Sequence, residues 1–352
     1  MDDYNVLLLG ADGNAGRNYT KCLKMVLHNN VLIIGTGYNK YQLVDCGVDR
    51  YINISNFEHD QTIYDILQYE QPDFIHAQPE EEVEYLCNNS VTAEVFGKNE
   101  LERKFYQNKA LVQQTLGFHS HSLDTLISIK TTQDNFNWVL DHSHTGVGFW
   151  VRANNGSGSK YAMPVKGLHQ AFQWFEFLKL QGKVNDESEM ILSEYLPGKE
   201  YAVQLFYIDG ELYHAQARER VEHFFAKQMV SGQSSTPSVA RTTDRPEVYF
   251  AAIDAINKCS DYLGVDPNGI YGVDMRYNVE NEPVVTEVNY GRYFTTSDFF
   301  AEYGMNTPVA ELLYIVDGIL PEKKIASIEP DIYWVRGLDM EPVTFKGSEL
   351  NG

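Results

Sequence analysis

The sequence predicts an α/β unit built on a parallel, doubly wound sheet, followed by a larger α+β portion. Three observations lead there. Over the first part of the chain, apolar runs at 5–10, 31–35 and 74–77 alternate with helical stretches at 17–28 and 62–69. Beyond Leu116-Gly117, strand patterns dominate up to 205–213 and are broken by one helix at 167–181. Two further helical stretches, 246–263 and 307–320, then bracket a strand pair at 271–289.

The elements follow in order. Asn5-Val-Leu-Leu-Leu-Gly10 is nearly continuous in apolar residues, the pattern of a parallel strand covered on both faces. It runs into Gly10-Ala-Asp-Gly13-Asn-Ala-Gly16, a strand-to-helix turn. The spacing is GxxGxxG, whereas a dinucleotide fingerprint is GxGxxG, and no acidic residue ends the second strand. A tight turn that packs closely and binds nothing is the favoured reading there; a nicotinamide-dependent oxidoreductase is the rival that would use it. The chain divides on this reading into 1–100 and 101–352, with 118–210 as a smaller subdomain.

Composition limits function. The 352 residues suit two or three core-bearing units, and 43% hydrophobic residues describe an ordinary globular core. A net charge of −21 argues against a nucleic-acid partner, since phosphate backbones are held by basic surfaces. No apolar run approaches the length of a membrane span, and Met1-Asp-Asp lacks the basic start of a signal peptide. Four dispersed cysteines show no metal spacing, so they are expected as reduced thiols in a cytoplasmic protein with no membrane partner.

Four segments carry chemistry. In 271–289, two strands flank the polar turn at 278–283; Asp274 lies on one, and Glu287 and Asn289, two apart and on one face, lie on the other. Two carboxylates and an amide oxygen suit Mg²⁺, with Mn²⁺ also accommodated. Arg152 ends a strand before a small-residue loop, Gly156-Ser157-Gly158-Ser159, whose backbone N–H groups and hydroxyls can converge on phosphate oxygens. In Glu194-Tyr195-Leu196-Pro-Gly-Lys-Glu200, a linker between apolar strands can offer backbone groups to an adenine edge, and Glu200 can accept from ribose hydroxyls. Arg218 and Arg220, spaced to share a strand face, are expected with Arg292 to hold a substrate carboxylate and stabilise its activated form. A hairpin edge, a loop tip and surface arginines paired with surplus acids are the bland alternatives.

Taken in this order, the segments resemble the ATP-grasp superfamily, and most closely proteins similar to one ATP-binding half of the carbamoyl-phosphate synthetase large subunit. The resemblance spans nearly the whole chain. It implies a pre-ATP-grasp domain followed by an ATP-grasp fold of two subdomains, with 118–210 as a mobile lid over the nucleotide. Gln107-Asn-Lys109 resembles the start of the nucleotide-binding portion, with Lys104 the alternative. Arg152 stands where the family places a cation on the α- and β-phosphates, and Asp274, Glu287 and Asn289 match its magnesium ligands. Glu287-Val-Asn-Tyr-Gly-Arg292 is one residue longer than the usual Glu-x-Asn-Pro-Arg, which leaves the position of Arg292 open. The implied activity is an ATP- and Mg²⁺-dependent carboxylate–amine ligase acting on small molecules through an acyl phosphate. A non-catalytic ATP-binding module is the rival on this fold, and related enzymes suggest a homodimer.

Overall fold

The computed structural model describes residues 4–54, 59–89, 95–97, 99–118, 120–127, 148–156, 161–229, 231–232, 236–338 and 340–351. Strands β1 (Tyr4–Leu9), β2 (Val31–Gly37), β3 (Arg50–Asn53) and β4 (Phe74–Ala77) form a parallel sheet in the order β3-β2-β1-β4. The apolar run of β1 is explained by burial on both faces. Leu7 and Leu9 pack with Ile63, Ile66 and Leu67 of the helix His59–Glu70. Val6 and Leu8 pack with Tyr19 and Leu23 of the helix Asn14–Leu27 and with Val309 and Leu312 of the helix Thr307–Asp317. This second face welds the α/β unit to the C-terminal part of the chain.

Two local outcomes refine the sequence reading. The first helix begins at Asn14, three residues earlier than expected, because Gly13 is its N-cap. A Cβ on Gly16 would lie 2.4 Å from the Gly10 carbonyl oxygen and 2.8 Å from the Ala11 Cα, and Gly10 has φ +80°. The turn therefore serves close packing of helix on strand, as its spacing suggested. The pattern does not reveal β3: Arg-Tyr-Ile-Asn is an edge strand with Tyr51 half exposed.

A second, antiparallel sheet contains β5 (Ser120–Ser122), β6 (Phe149–Ala153), β7 (Met163–Val165) and β8 (Met190–Glu194) in the order β5-β8-β6-β7. Phe149, Val151, Met190 and Leu192 pack on Phe175 and Leu178 of the helix Leu168–Leu180. The third sheet follows β13-β12-β9-β10-β11-β15-β16, with β14 beside β10. Its strands are β9 (Glu200–Ile208), β10 (Glu211–His223), β11 (Pro237–Thr243), β12 (Gly269–Tyr277), β13 (Pro283–Tyr290), β14 (Lys324–Ile325), β15 (Ile332–Val335) and β16 (Val343–Lys346). The helix Pro246–Leu263 covers it through Val248, Ala252 and Ile256, against Val203, Val273 and Met275.

The strands on either side of Pro197-Gly198 do not form a hairpin. They belong to different sheets, so 195–199 crosses from the small sheet to the large one. The crossing is pinned to the end of β12, where the Gly198 N–H donates to the Tyr277 carbonyl (2.9 Å) and Tyr277 N–H to the Lys199 carbonyl (3.0 Å).

Strand β13 contains a bulge. Asp274 pairs with Glu287 but Met275 pairs with Val285, so Thr286 is an extra residue. That insertion lets Val285 and Val288, three apart, both enter the core with Val273 and Met275. Strict alternation would send one of them to the opposite face.

Candidate active site

The β12–β13 pairing sets Asp274 directly opposite Glu287 and Gly272 opposite Asn289. The Asn289 amide approaches the Asp274 carboxylate at 3.4 Å. Asp274 is buried, and Glu287 and Asn289 are partly so. The three oxygen-bearing side chains predicted from their spacing are thus brought together. Among the described residues, no group of three or more His, Cys, Asp and Glu side chains gathers as a metal site, so this set is two carboxylates completed by an amide. Such hard oxygen donors fit Mg²⁺.

Four cations ring the cluster, each from a different element. Arg220 on β10 reaches across β9, donating to Glu200 (2.6 Å) and to Asp274 (2.7 Å). Arg152 comes from the small sheet, donating to Glu287 (3.3 Å) and to the Thr286 carbonyl (2.6 Å) that the bulge exposes. Lys109, buried at the start of the helix Lys109–Thr115, donates to the carbonyls of Asn154 (3.3 Å) and Gly156 (2.5 Å). Arg292 donates to the Asn289 side-chain oxygen. The extra residue before Arg292 is accommodated by Gly291, at φ +70°, so the longer spacing still returns the guanidinium to Asn289.

Electrostatics separates the two facing carboxylates. Burial pushes Asp274 up to about 6, with Glu287 and Glu200 adding to the rise and Arg220 opposing it. Glu287 is held below the usual carboxylate range: burial raises it, but Lys109, Arg152, Arg220 and Arg292 together outweigh that. Glu200 is likewise lowered, its burial overcome by Arg220 and His223. Lys109 is lowered by burial, with Glu287 resisting.

The remaining sequence candidates fall as follows. Lys104 pairs with Glu100 on the surface, so Lys109 is the lysine at this site. Tyr195 donates its N–H to the Gly148 carbonyl (3.3 Å), Leu196 is buried, and Glu194 ends β8 beside Phe149, so these three stay with the small sheet. Glu200 accepts from Arg220 and sits 3.2 Å from His223, so its oxygens are engaged. Arg218 is almost fully buried over the Phe294 ring, at 4.5 Å, and donates to Thr296. It shares a strand face with Arg220 and feels the charges of Asp274 and Glu200, but its direct partners are Phe294 and Thr296. Ser157, Gly158 and Ser159 lie outside the described residues.

Sequence reasoning missed Asn154 and His223. The Asn154 side chain accepts from the Ala110 N–H (3.1 Å) while its carbonyl takes Lys109, tying the small sheet to the next helix. An asparagine at a strand end facing a glycine loop is a faint signal for such a clamp. A cavity of about 30 Å³ beside Glu287 and Arg292, bordered by Arg103, Glu80 and Tyr106, was also unforeseen. No helix among the described residues is long and apolar enough to cross a membrane.

No family model and no curated protein matches the sequence. Solved structures do resemble it. N5-carboxyaminoimidazole synthetase from Staphylococcus aureus superposes with a TM-score of 0.64 at 14% identity, over 94% of this chain and 82% of that one. L-amino acid ligase from Bacillus licheniformis gives 0.65 at 13%, over 95% and 80%. The biotin carboxylase domain of Hydrogenobacter thermophilus 2-oxoglutarate carboxylase, solved with Mg-ADP and bicarbonate, gives 0.66 at 12%, over 95% and 74%. This likeness extends along nearly the whole chain and includes the parallel sheet, the small sheet and the large antiparallel sheet. This likeness shows the fold: an α/β domain followed by an ATP-grasp architecture with a small and a large antiparallel sheet.

Proposed function

We propose that this protein is an ATP- and Mg²⁺-dependent ligase that activates a small-molecule carboxylate as an acyl phosphate and joins it to an amine. The observation that carries this reading is Asp274 facing Glu287 beside Asn289, ringed by Lys109, Arg152, Arg220 and Arg292. The ligases that share the fold support it.

In this reading Asp274, Glu287 and Asn289 would hold Mg²⁺, which would offset the negative charge of the nucleotide's phosphates. Lys109 and Arg152 bind the remaining phosphate oxygens, exchanging their present carbonyl and carboxylate partners for ATP. Gly156, Ser157, Gly158 and Ser159 would supply backbone N–H groups and hydroxyls to the phosphates, and the linker from Glu194 through Leu196 would offer the adenine its backbone groups. Glu200 turns part of its hydrogen-bonding capacity to the ribose. Arg220 holds Asp274 and Glu200 in register, linking the metal ligands to the nucleotide side. Arg292 faces the incoming carboxylate, which attacks the γ-phosphorus and expels ADP. An amine nitrogen then attacks the acyl carbon, losing a proton as phosphate departs. Arg218 supports this pocket from behind. No protein nucleophile is needed; positioning and charge compensation carry the chemistry.

The test is Mg²⁺-dependent ADP release against pooled carboxylates, with and without pooled amines. Stimulation by both pools together supports the ligase. ATP binding without stimulation by any pool points to a binding module, and no nucleotide binding refutes the reading.

A further inference from the structure

A cavity of about 800 Å³ opens between the α/β unit and the C-terminal strands, away from the small cavity at Glu287. Its walls differ in kind. On one side stands the N-terminal half of the helix Asn14–Leu27, presenting Asn14, Arg17 and Lys21. That helix has no side-chain N-cap bond and no acidic residue in its first turn, so its positive end is uncompensated. On the other side are Phe224, Phe225 and Leu338, with Arg336 among them.

Arg336 is the informative residue. Its guanidinium stacks on Trp334 (4.9 Å) and Phe224 (5.5 Å), and its Nε donates to the Pro237 carbonyl (3.2 Å). Its second terminal nitrogen is buried and has no hydrogen-bond partner among the described residues. A buried charged donor without a partner is costly, so a ligand acceptor there gains affinity. The carboxylates bordering the cavity are Asp45 and Glu341; Glu341 pairs with Lys21 at the solvent rim, its side chain 90% exposed, and behind the lining the buried Asp298 acts on both Lys21 and Arg336.

We propose that this cavity binds a small organic acid with an apolar body, its carboxylate on Arg336 and its body against Phe224, Phe225 and Leu338. That this acid is a substrate of the ligase rests on the proposed function; its binding does not.

Calorimetry without nucleotide, using phenylacetate, phenethylamine and acetate as probes, tests the assignment. Phenylacetate is expected to bind at least tenfold more tightly than either of the others, since phenethylamine keeps the ring and acetate the charge. Arg336→Gln should weaken phenylacetate about tenfold. Because Arg336 also stacks on Trp334, the rim variant Lys21→Gln is read beside it, with a loss of about threefold expected and its melting temperature checked. Equal binding of the three probes, no binding of phenylacetate, or no change in either variant overturns the proposal. ADP binding is titrated separately on the wild-type protein. ADP bound with no phenylacetate bound sinks the cavity assignment alone; the reverse sinks the ligase reading alone.

Discussion

The hairpin β12–β13 and the small sheet β5–β8 both contribute to one site but are built differently. The hairpin lies at one side of a long antiparallel sheet, and its inner face is sealed by Val273, Met275, Val285 and Val288. Its Asp274 is fixed by an ion pair formed within that same sheet, with Arg220 spanning from β10 to β12. The small sheet has strands of three to five residues and its own compact core. It meets the hairpin through Arg152 and reaches Lys109 through the carbonyls of Asn154 and Gly156. On the proposed function the difference separates two tasks: the large sheet would hold the metal ligands, while the cations meant for phosphate are held by bonds that a nucleotide can replace.

The sharpest break in this comparison is Arg220→Ala. It leaves Glu200 and Asp274 without their shared cation in a buried setting, and should cost about 3–5 kcal/mol in urea denaturation. A loss below 1 kcal/mol would show that the large sheet does not depend on its ion pairs. Next comes Glu287→Gln, which keeps shape but removes the charge shared by four cations. Mg²⁺-dependent ADP release should fall about 10²–10³-fold while circular dichroism is retained.

Behind the hairpin, Glu102 accepts from Tyr271 (2.6 Å) and Tyr290 (3.3 Å), and burial pushes it up to about 7. The fold therefore favours its neutral form. This contribution is complete below the unfolded carboxylate value near 4.5 and disappears as pH rises through 7, an upper bound of about 3 kcal/mol. Glu102→Gln should flatten that part of the stability–pH curve between pH 5 and 8, as followed by thermal melts; an unchanged slope would refute the assignment. The smallest effect belongs to the small sheet. Arg152→Ala should weaken ATP binding about tenfold and cost about 1–3 kcal/mol in stability, since it removes a buried charged donor but leaves Glu287 with Lys109, Arg220 and Arg292.

The sequence made the parallel unit, the two flanking helices and the Asp274/Glu287/Asn289 cluster legible, because each depends on local periodicity or on spacing along one strand pair. What it could not reveal depends on pairing across distant strands. Arg220 lies next to Arg218 in pattern, yet one joins Glu200 and Asp274 while the other is buried over Phe294. Both lie across the same strands, and what parts them is the segment after β13, which brings Phe294 and Thr296 to Arg218. Lys104 and Lys109 sit on different helices, Glu100–Gln107 and Lys109–Thr115, and only the start of the second meets Asn154. The Glu194–Glu200 linker lies between strands that look alike, and nothing local says that they join different sheets.

Thr286 at the bulge ties the two regions to a question of parity. With it, the core residues of β13 and the residues facing the site are counted in opposite phase, and both sets are satisfied. Deleting this one residue would set Val285 and Val288 two apart, so plain alternation would seat both valines in the core and still turn Glu287 and Asn289 toward the cluster. What would go is the Thr286 carbonyl that takes Arg152 from the small sheet. Shortening β13 by one should therefore loosen the joint between the two sheets while the valines and the carboxylates keep their places.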